Sequence, residues 1–354
     1  MKSSPTGPTS HSASVPNSFS LPMAQKKKIL VVRFSSIGDI VLTTPVLRAL
    51  KHTPGLDAEV HFVTKKAFAP VVKANPNIDK VHLLEDSLGS LVKTLRTERF
   101  DYIIDLHNNL RSTLLKLRLM RPSRAFNKLN VEKWLLARLK INRLPDLHIV
   151  DRYFEAGRRF HLKNDQQGLD YFLAEKDAVW PDSLPLEFRD AYVAFVIGGA
   201  HATKRLPNQK IIDICRRLKK PVILLGGPED AKNGRIIQAA CGDFVFNTCG
   251  KISLNNSAFL VQQARVVLTH DTGLMHIAAA FNKPIISVWG NTVPEFGMYP
   301  YMPQNPENSI IMEISGLPCR PCDKIGFEQC PKGHFDCMEK ISHEKVALEA
   351  LKFF

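Results

Sequence analysis

Asp39 and the run Asp271-Thr272-Gly273-Leu274-Met275-His276 carry the residue types that proton transfer and phosphate binding require. Asp39 closes the segment Arg33-Phe34-Ser35-Ser36-Ile37-Gly38-Asp39; the second run begins after Thr269-His270. Each segment follows a β-branched apolar run and opens an amphipathic stretch. That places both where a parallel strand hands over to a helix. Open α/β sheets bind ligands at the carboxyl ends of their strands. Two such turns therefore predict two sheets facing each other across a cleft, each supplying one edge of a site.

A carboxylate at Asp39 suits general-base removal of a hydroxyl proton, and it suits equally the capping of the helix it opens. Pro45 either kinks that helix or marks a first turn capped by Thr44. At Asp271-Thr272-Gly273, the free N–H groups of a helix start make an anion site, and Thr272 adds a hydroxyl donor. His276, one turn on, either donates to a phosphate or is a core histidine. Gly198-Gly199-Ala200-His201-Ala202-Thr203-Lys204-Arg205 follows another strand, with Lys204 as a point charge for a pyrophosphate. Glu229, after Gly226-Gly227-Pro228, can accept hydrogen bonds from a ribose diol. Gly turns and surface lysines are common singly. Their shared placement at strand ends in one half of the chain points to a nucleotide-diphosphate site.

The elements that position these residues alternate. Strands are predicted at Ile29–Phe34, Glu59–Val63, Lys80–Leu84 and Tyr102–Leu106, then at Tyr192–Ile197, Val222–Leu225, Phe244–Asn247, Val266–Thr269 and Ile285–Trp289. Helices are predicted over Asp39–His52, Ala67–Ala74, Ser87–Thr97, Arg111–Met120, Val131–Ile141 and Val150–Leu162. Strands alternating with helices build parallel sheets from βαβ units. At 354 residues the chain exceeds what one core usually serves. The expected organisation is a disordered Ser- and Pro-rich tail (1–25), a Rossmann-like domain (26–177), a linker (178–190), a second Rossmann-like domain (191–338) and a terminal helix (339–354). No G-x-G-x-x-G or G-x-x-x-x-G-K-[ST] follows a strand, which argues against a dinucleotide dehydrogenase and a P-loop NTPase. No apolar run is long enough for a membrane span, and the start lacks the apolar region of a signal peptide. A cytoplasmic protein is expected.

Net charge is +14. Thirteen basic residues against four acidic ones fall between Arg111 and Arg159, interleaved with Leu114, Leu115, Leu117, Leu119, Trp134, Leu135 and Leu139. A basic amphipathic surface suits anionic lipid; the same pattern also describes a solvated face with snorkelling side chains. Arg111, Arg118, Arg121 and Arg138 are the candidates for an anionic-lipid surface. Nucleic-acid binding is the competing class, but no zinc-finger, RNP-like or basic-zipper signature accompanies the charge.

The Ser-Ser-Ile-Gly-Asp turn, the Lys204-Arg205 turn and Asp271-Thr272-Gly273-Leu274-x-His276 together resemble family 9 glycosyltransferases, the ADP-heptose:lipopolysaccharide heptosyltransferases and their relatives. The likeness runs from about Ile29 to Ser342. It implies the GT-B fold of two facing Rossmann-like domains, with the acceptor on the first and the nucleotide sugar on the second. It further implies inverting transfer of a heptose or similar sugar from an ADP-sugar to a phosphorylated glycolipid at the inner membrane surface, without a catalytic metal. By resemblance Asp39 is the base and Lys204, Thr272, Gly273 and His276 contact the diphosphate. Asp271 lies near the donor sugar, and Glu229 contacts the ribose. Leu206 stands where the family often has Trp. A nucleotide-sugar epimerase of the same architecture is the alternative.

Cys319, Cys322, Cys330 and Cys337 cluster late in the chain. In a cytosolic protein such density reads as metal rather than disulfide. Four thiolates would hold structural zinc, with His334 as another possible ligand; reduced cysteines packed in the fold are the alternative.

Overall fold

The computed structural model describes Met1 and residues 26–178 and 184–354. The remainder of the expected 1–25 tail and linker residues 179–183 lie outside the described residues. The first sheet is built from β1 (Lys27–Val32), β2 (Ala58–Lys65), β3 (Lys80–Leu84), β4 (Tyr102–Asp105) and β5 (Ser123–Ala125), in the order β3-β2-β1-β4-β5. The second contains β6 (Val193–Val196), β7 (Val222–Leu225), β8 (Val245–Asn247), β9 (Val266–His270), β10 (Ile285–Trp289) and β11 (Ser309–Glu313), in the order β11-β10-β9-β6-β7-β8. Every pairing is parallel. Each sheet thus has a switch point where strand order reverses, between β1 and β4 and between β6 and β9. Those are the places where such sheets bind ligands.

The helices of the first domain are α1 (Ile37–Val41), α2 (Thr44–His52), α3 (Leu88–Glu98), α4 (Leu110–Leu119), α5 (Asn130–Trp134) and α6 (Ile149–Phe154). The second carries α7 (Asn208–Leu218), α8 (Ala231–Cys241), α9 (Leu254–Gln263), α10 (Gly273–Ala280), α11 (Asp336–Glu339) and α12 (His343–Leu351). Val346, Ala347 and Ala350 of α12 join the core of the second domain. Among the described residues no helix is long and apolar enough to cross a membrane.

Several expected helices break, for local reasons. The helix expected over Asp39–His52 splits at Thr43, because Pro45 has no N–H to give the Val41 carbonyl. The Thr44 hydroxyl takes that carbonyl at 2.8 Å, and Thr43 takes that of Ile40 at 2.7 Å. Thr43, not Thr44, caps α2. The helix expected at Ala67–Ala74 is a 3₁₀ segment, Lys66–Val71, containing Pro70. Val131–Ile141 is α5 followed by a π turn, Leu135–Leu139, and Val150–Leu162 is α6 followed by a 3₁₀ turn, Glu155–Phe160. The edge strands β5 and β11 were not predicted; β5 is too short to show periodicity.

The domains meet where α1 crosses α10. A Cβ on Gly38 would lie 2.5 Å from the His276 ring and 3.4 Å from the Gly273 Cα; one on Gly273 would lie 2.8 Å from Ile37. Only glycine permits this approach.

Five buried histidines tie this core to pH. Burial pushes His148 down to about 3, and His82, His107, His270 and His276 down to about 4. The folded chain therefore takes up fewer protons than the unfolded chain once pH falls below about 6.5. Their contribution is complete above that value and is lost as pH falls toward 4. Each histidine steepens the loss by at most about 1.4 kcal/mol per pH unit. The urea midpoint is expected to drop steadily between pH 6.5 and 4.5; a flat midpoint there would contradict the neutral, buried assignment.

Candidate active site

Asp39 sits in the first turn of α1, just past the end of β1. Its Oδ1 pairs with the Arg33 guanidinium at 2.6 Å, and its Oδ2 accepts from Ser36 N at 3.2 Å and Ser36 Oγ at 2.8 Å. The capping reading and the site reading thus hold together, since Asp39 completes a capping box with Ser36 while its side chain stays 19% exposed. A carboxylate has about four lone-pair positions. Three are used by described residues, leaving one on Oδ1 for a hydroxyl. Burial would push this carboxyl up, but the Arg33 charge and the Ser36 donors outweigh it and hold Asp39 below its ordinary value.

Arg33 is itself fixed. It donates from Nε to the Ser35 carbonyl at 2.8 Å and from Nη1 to the Leu106 carbonyl and the Tyr153 hydroxyl, the latter at 3.1 Å. Leu106 follows β4, so this guanidinium staples both strands of the first switch point. Tyr153, buried on α6, is pushed above its ordinary value mainly by burial, so its hydroxyl stays protonated.

Across the junction, Lys204 Nζ lies 2.5 Å from Asp271 Oδ2, which also accepts from Thr292 Oγ1 at 2.9 Å. Thr272 caps α10 from an extended backbone with no side-chain cap bond, so among the described residues the first N–H groups of that helix keep no side-chain partner. Its hydroxyl lies 3.2 Å from that of Thr269. The Lys204 turn is held by His270, whose Nε2 accepts from Leu206 N at 3.0 Å. Neutral His270 can serve as that acceptor; a protonated ring could not.

The structure brings Asp39, Lys204, Asp271, Thr272, Gly273 and His276 together at the junction. His276 is buried against Gly38, its Nδ1 without a partner among the described residues. Glu229 is different: it is exposed in the turn after β7, while its neighbour Asp230 is buried between Gly198 and Gly226 and accepts from Gly227 N at 3.0 Å. Arg33, Tyr153, His270 and Thr292 escaped the sequence reading. Arg33 and His270 lie inside the motifs themselves, and Thr292 follows the end of β10, the same signal that exposed the others.

Arg111, Arg118, Arg121 and Arg138 are exposed, among exposed Leu110, Leu117, Met120, Trp134 and Leu139. The segment is not one uniform basic face. Lys116 pairs with buried Asp105 at 2.7 Å, and Arg152 is buried. Lys140 reaches across to the Pro321 carbonyl at 2.7 Å, joining the first domain to the cysteine loop.

All seven cysteines are free thiols. Burial, helped by the neighbouring thiols, pushes Cys322 up to about 11 and Cys337 up to about 12. Among the described residues the one group of His, Cys, Asp or Glu ligand atoms lying within 4.8 Å of one another is His61, His82 and Glu98. Its members already have partners: His61 Nδ1 and His82 Nε2 are 2.9 Å apart, and Glu98 holds Lys28 and Lys80. No three of the sulfurs of Cys319, Cys322, Cys330 and Cys337 lie that close together.

Residues 88–326 match glycosyltransferase family 9 (heptosyltransferase). The chain is 27% identical to a lipooligosaccharide heptosyltransferase 2 from Haemophilus influenzae, over 91% of this chain and 98% of that one. A family 9 glycosyltransferase from Veillonella parvula superposes with a TM-score of 0.74 at 21% identity, covering 92% and 97% of the two chains. The Escherichia coli heptosyltransferase WaaC with ADP does so with a TM-score of 0.67 at 20% identity, covering 92% and 100%. With more than half of its length matching the family, and two parallel-sheet domains meeting at their switch points, the chain belongs to glycosyltransferase family 9 and is a glycosyltransferase of the GT-B fold.

Proposed function

We propose that the enzyme transfers a heptose, or a closely similar sugar, from an ADP-sugar to a phosphorylated glycolipid of the lipopolysaccharide core, with inversion and without a catalytic metal. The observation that carries this reading is the placement of Asp39 opposite the Lys204–Asp271–Thr272 turn across a contact between two glycines. Asp39, ionised beside Arg33, takes the proton of an acceptor hydroxyl. The freed oxygen bonds to the anomeric carbon as the bond from that carbon to the diphosphate oxygen breaks. Lys204 and the Thr272-Gly273 amides receive the growing charge on the diphosphate, where preorganised donors act most strongly. Lys204 can exchange Asp271 for phosphate because both side chains keep access to solvent. Glu229, in its exposed turn, is assigned to the ribose, and His276 to the donor side of the cleft.

Asp39→Asn is expected to lower turnover by roughly 10²–10⁴-fold, the usual contribution of a general base, while calorimetry finds ADP binding unchanged. Near-normal turnover would return Asp39 to a capping role.

The enzyme is assigned to the cytoplasmic face of the inner membrane, docked through Arg111, Arg118, Arg121 and Arg138. Exposed leucines and Trp134 between these charges support the assignment, since an apolar face rimmed by Arg suits an anionic interface. Vesicles of phosphatidylglycerol should bind the protein, less so as salt rises. Charge reversal at the four arginines should abolish that binding and spare ADP binding. Equal binding to neutral vesicles, or retention by duplex DNA that anionic vesicles cannot displace, would refute it.

Cys319, Cys322, Cys330 and Cys337 are assigned to structural zinc. The donor set suits zinc, and iron in the same geometry, although the loop must contract to bring the sulfurs together. Elemental analysis should find about one metal per chain, and chelation should lower the unfolding temperature. Metal-free protein of undiminished stability would leave these residues as packing thiols.

A further inference from the structure

Alternate residues of a strand share a face, so β2 turns Glu59, His61 and Val63 to one side of the first sheet. Val63 pairs with His82 of β3, which puts both imidazoles on that side. It is the side that packs α3, since Val63 shares a core cluster with Leu91, Leu95 and Phe100. His61 and His82 are 1% and 5% exposed, two polar rings set in an apolar layer. Phe100 meets both edge-on, with ring centres 5.1 and 6.2 Å away, and fixes their tilt.

Their nitrogens converge. His61 Nε2 lies 2.8 Å from Glu59 Oε1, and its Nδ1 lies 2.9 Å from His82 Nε2. An ionised carboxylate only accepts, so His61 carries a proton on Nε2 and, in the neutral ring, a lone pair on Nδ1. Metal-binding imidazoles are held in this way, with the other N–H given to a carboxylate. Glu98 at the end of α3 completes the set: one ligand atom from each of His61, His82 and Glu98 lies within 4.8 Å of the other two. Glu98 already draws cations, holding Lys28 Nζ at 3.1 Å and Lys80 Nζ at 2.5 Å. The Lys80 side chain is 55% exposed and is free to yield its place to another cation. A cleft of about 180 Å³, lined by His82, Ser87, Ser90 and Thr94, opens beside the rings. Thr94 stands one turn before Glu98 on α3, so the cleft leads towards the cluster.

We propose that His61 Nδ1, His82 Nε2 and a Glu98 oxygen bind a divalent transition-metal ion, zinc above all, which ties β2, β3 and α3 together. Two imidazoles and a carboxylate are a zinc donor set with water in the fourth place. At a Zn–N distance of about 2.1 Å, two tetrahedral nitrogens stand roughly 3.4 Å apart. The rings therefore need to part by only about 0.5 Å. The ion replaces the proton on His82 Nε2, and that ring takes its other tautomer, with the proton on Nδ1. Glu59 stays outside the coordination shell and orients His61. The site lies in the first domain, apart from the cysteine loop of the second, and is independent of the reaction assigned to the enzyme.

The test is calorimetric titration of Zn²⁺ into untagged, full-length protein carrying Cys319→Ser and Cys322→Ser, which removes the loop's claim on the ion. This protein should bind one Zn²⁺ and unfold at a higher temperature in its presence, because a ligand of the folded state stabilises it. Adding His82→Gln should weaken binding beyond about 100-fold, the upper range for an outer-shell change, and Glu59→Gln should weaken it by about tenfold. Glu59→Gln leaves all three ligands in place, so it guards against misfolding of the histidine variant. In the wild-type background, where the cysteines are intact, elemental analysis should find one zinc fewer per chain in His82→Gln than in wild type. A folded cysteine variant that binds no Zn²⁺, or a His82→Gln protein that carries as much zinc as wild type, would overturn the site.

Discussion

The contact between Gly38 and Gly273 sets the geometry of everything around it. It lets α1 and α10, one from each domain, cross closely, with Ile37 and His276 packed against the two glycines. Because helices start where strands end, this crossing places the two sheet switch points face to face. Asp39 lies just past Gly38 and Thr272 just before Gly273, so a backbone contact becomes a catalytic distance. The constraint is steric, and no hydrogen bond or ion pair could substitute for it.

Electrostatics then prepares each edge in the same way. On the first domain a carboxylate, Asp39, is held by Arg33; on the second, Asp271 is held by Lys204 and Thr292. The two pairs differ in what they leave open. Arg33 is buried and bonded to two carbonyls and a tyrosine, so it stays and keeps Asp39 ionised and aimed. Among the described residues the Lys204 side chain bonds only Asp271, and it remains partly exposed, which makes it the group that can turn to an incoming phosphate. Neutral histidines behind both edges, His107 and His276, add no competing charge at neutral pH.

The βα alternation, both switch-point turns and the residues on them were readable because they repeat a pattern: an apolar strand, a turn of small residues, then a charged group. Asp39, Lys204 and Asp271 were found that way. The breaks in the long helices were only partly readable. Pro45 announced a disturbance, but whether Thr43 or Thr44 took over the orphaned carbonyl depends on side-chain placement. Tyr153 was not readable at all, since what distinguishes it is contact with Arg33, far away in the chain. Glu229 and Asp230 differ in how far they could be read. The place of Glu229 after a Gly-Gly turn drew attention, while Asp230, one residue on, is the carboxylate that the fold buries.

The most direct measurement of this account is turnover and ADP affinity in Gly38→Ala. The added methyl would stand 2.5 Å from the His276 ring, so the ring, or α1 against α10, must shift, while no contact of the methyl reaches Lys204 or Asp271. Misplacing reacting groups by about 1 Å can cost roughly 10²-fold in rate. Glycosyl transfer from the proposed ADP-sugar should therefore fall by about that factor, with ADP affinity and circular dichroism preserved. Wild-type turnover in a folded Gly38→Ala protein would contradict the claim that this contact sets the distance between base and donor.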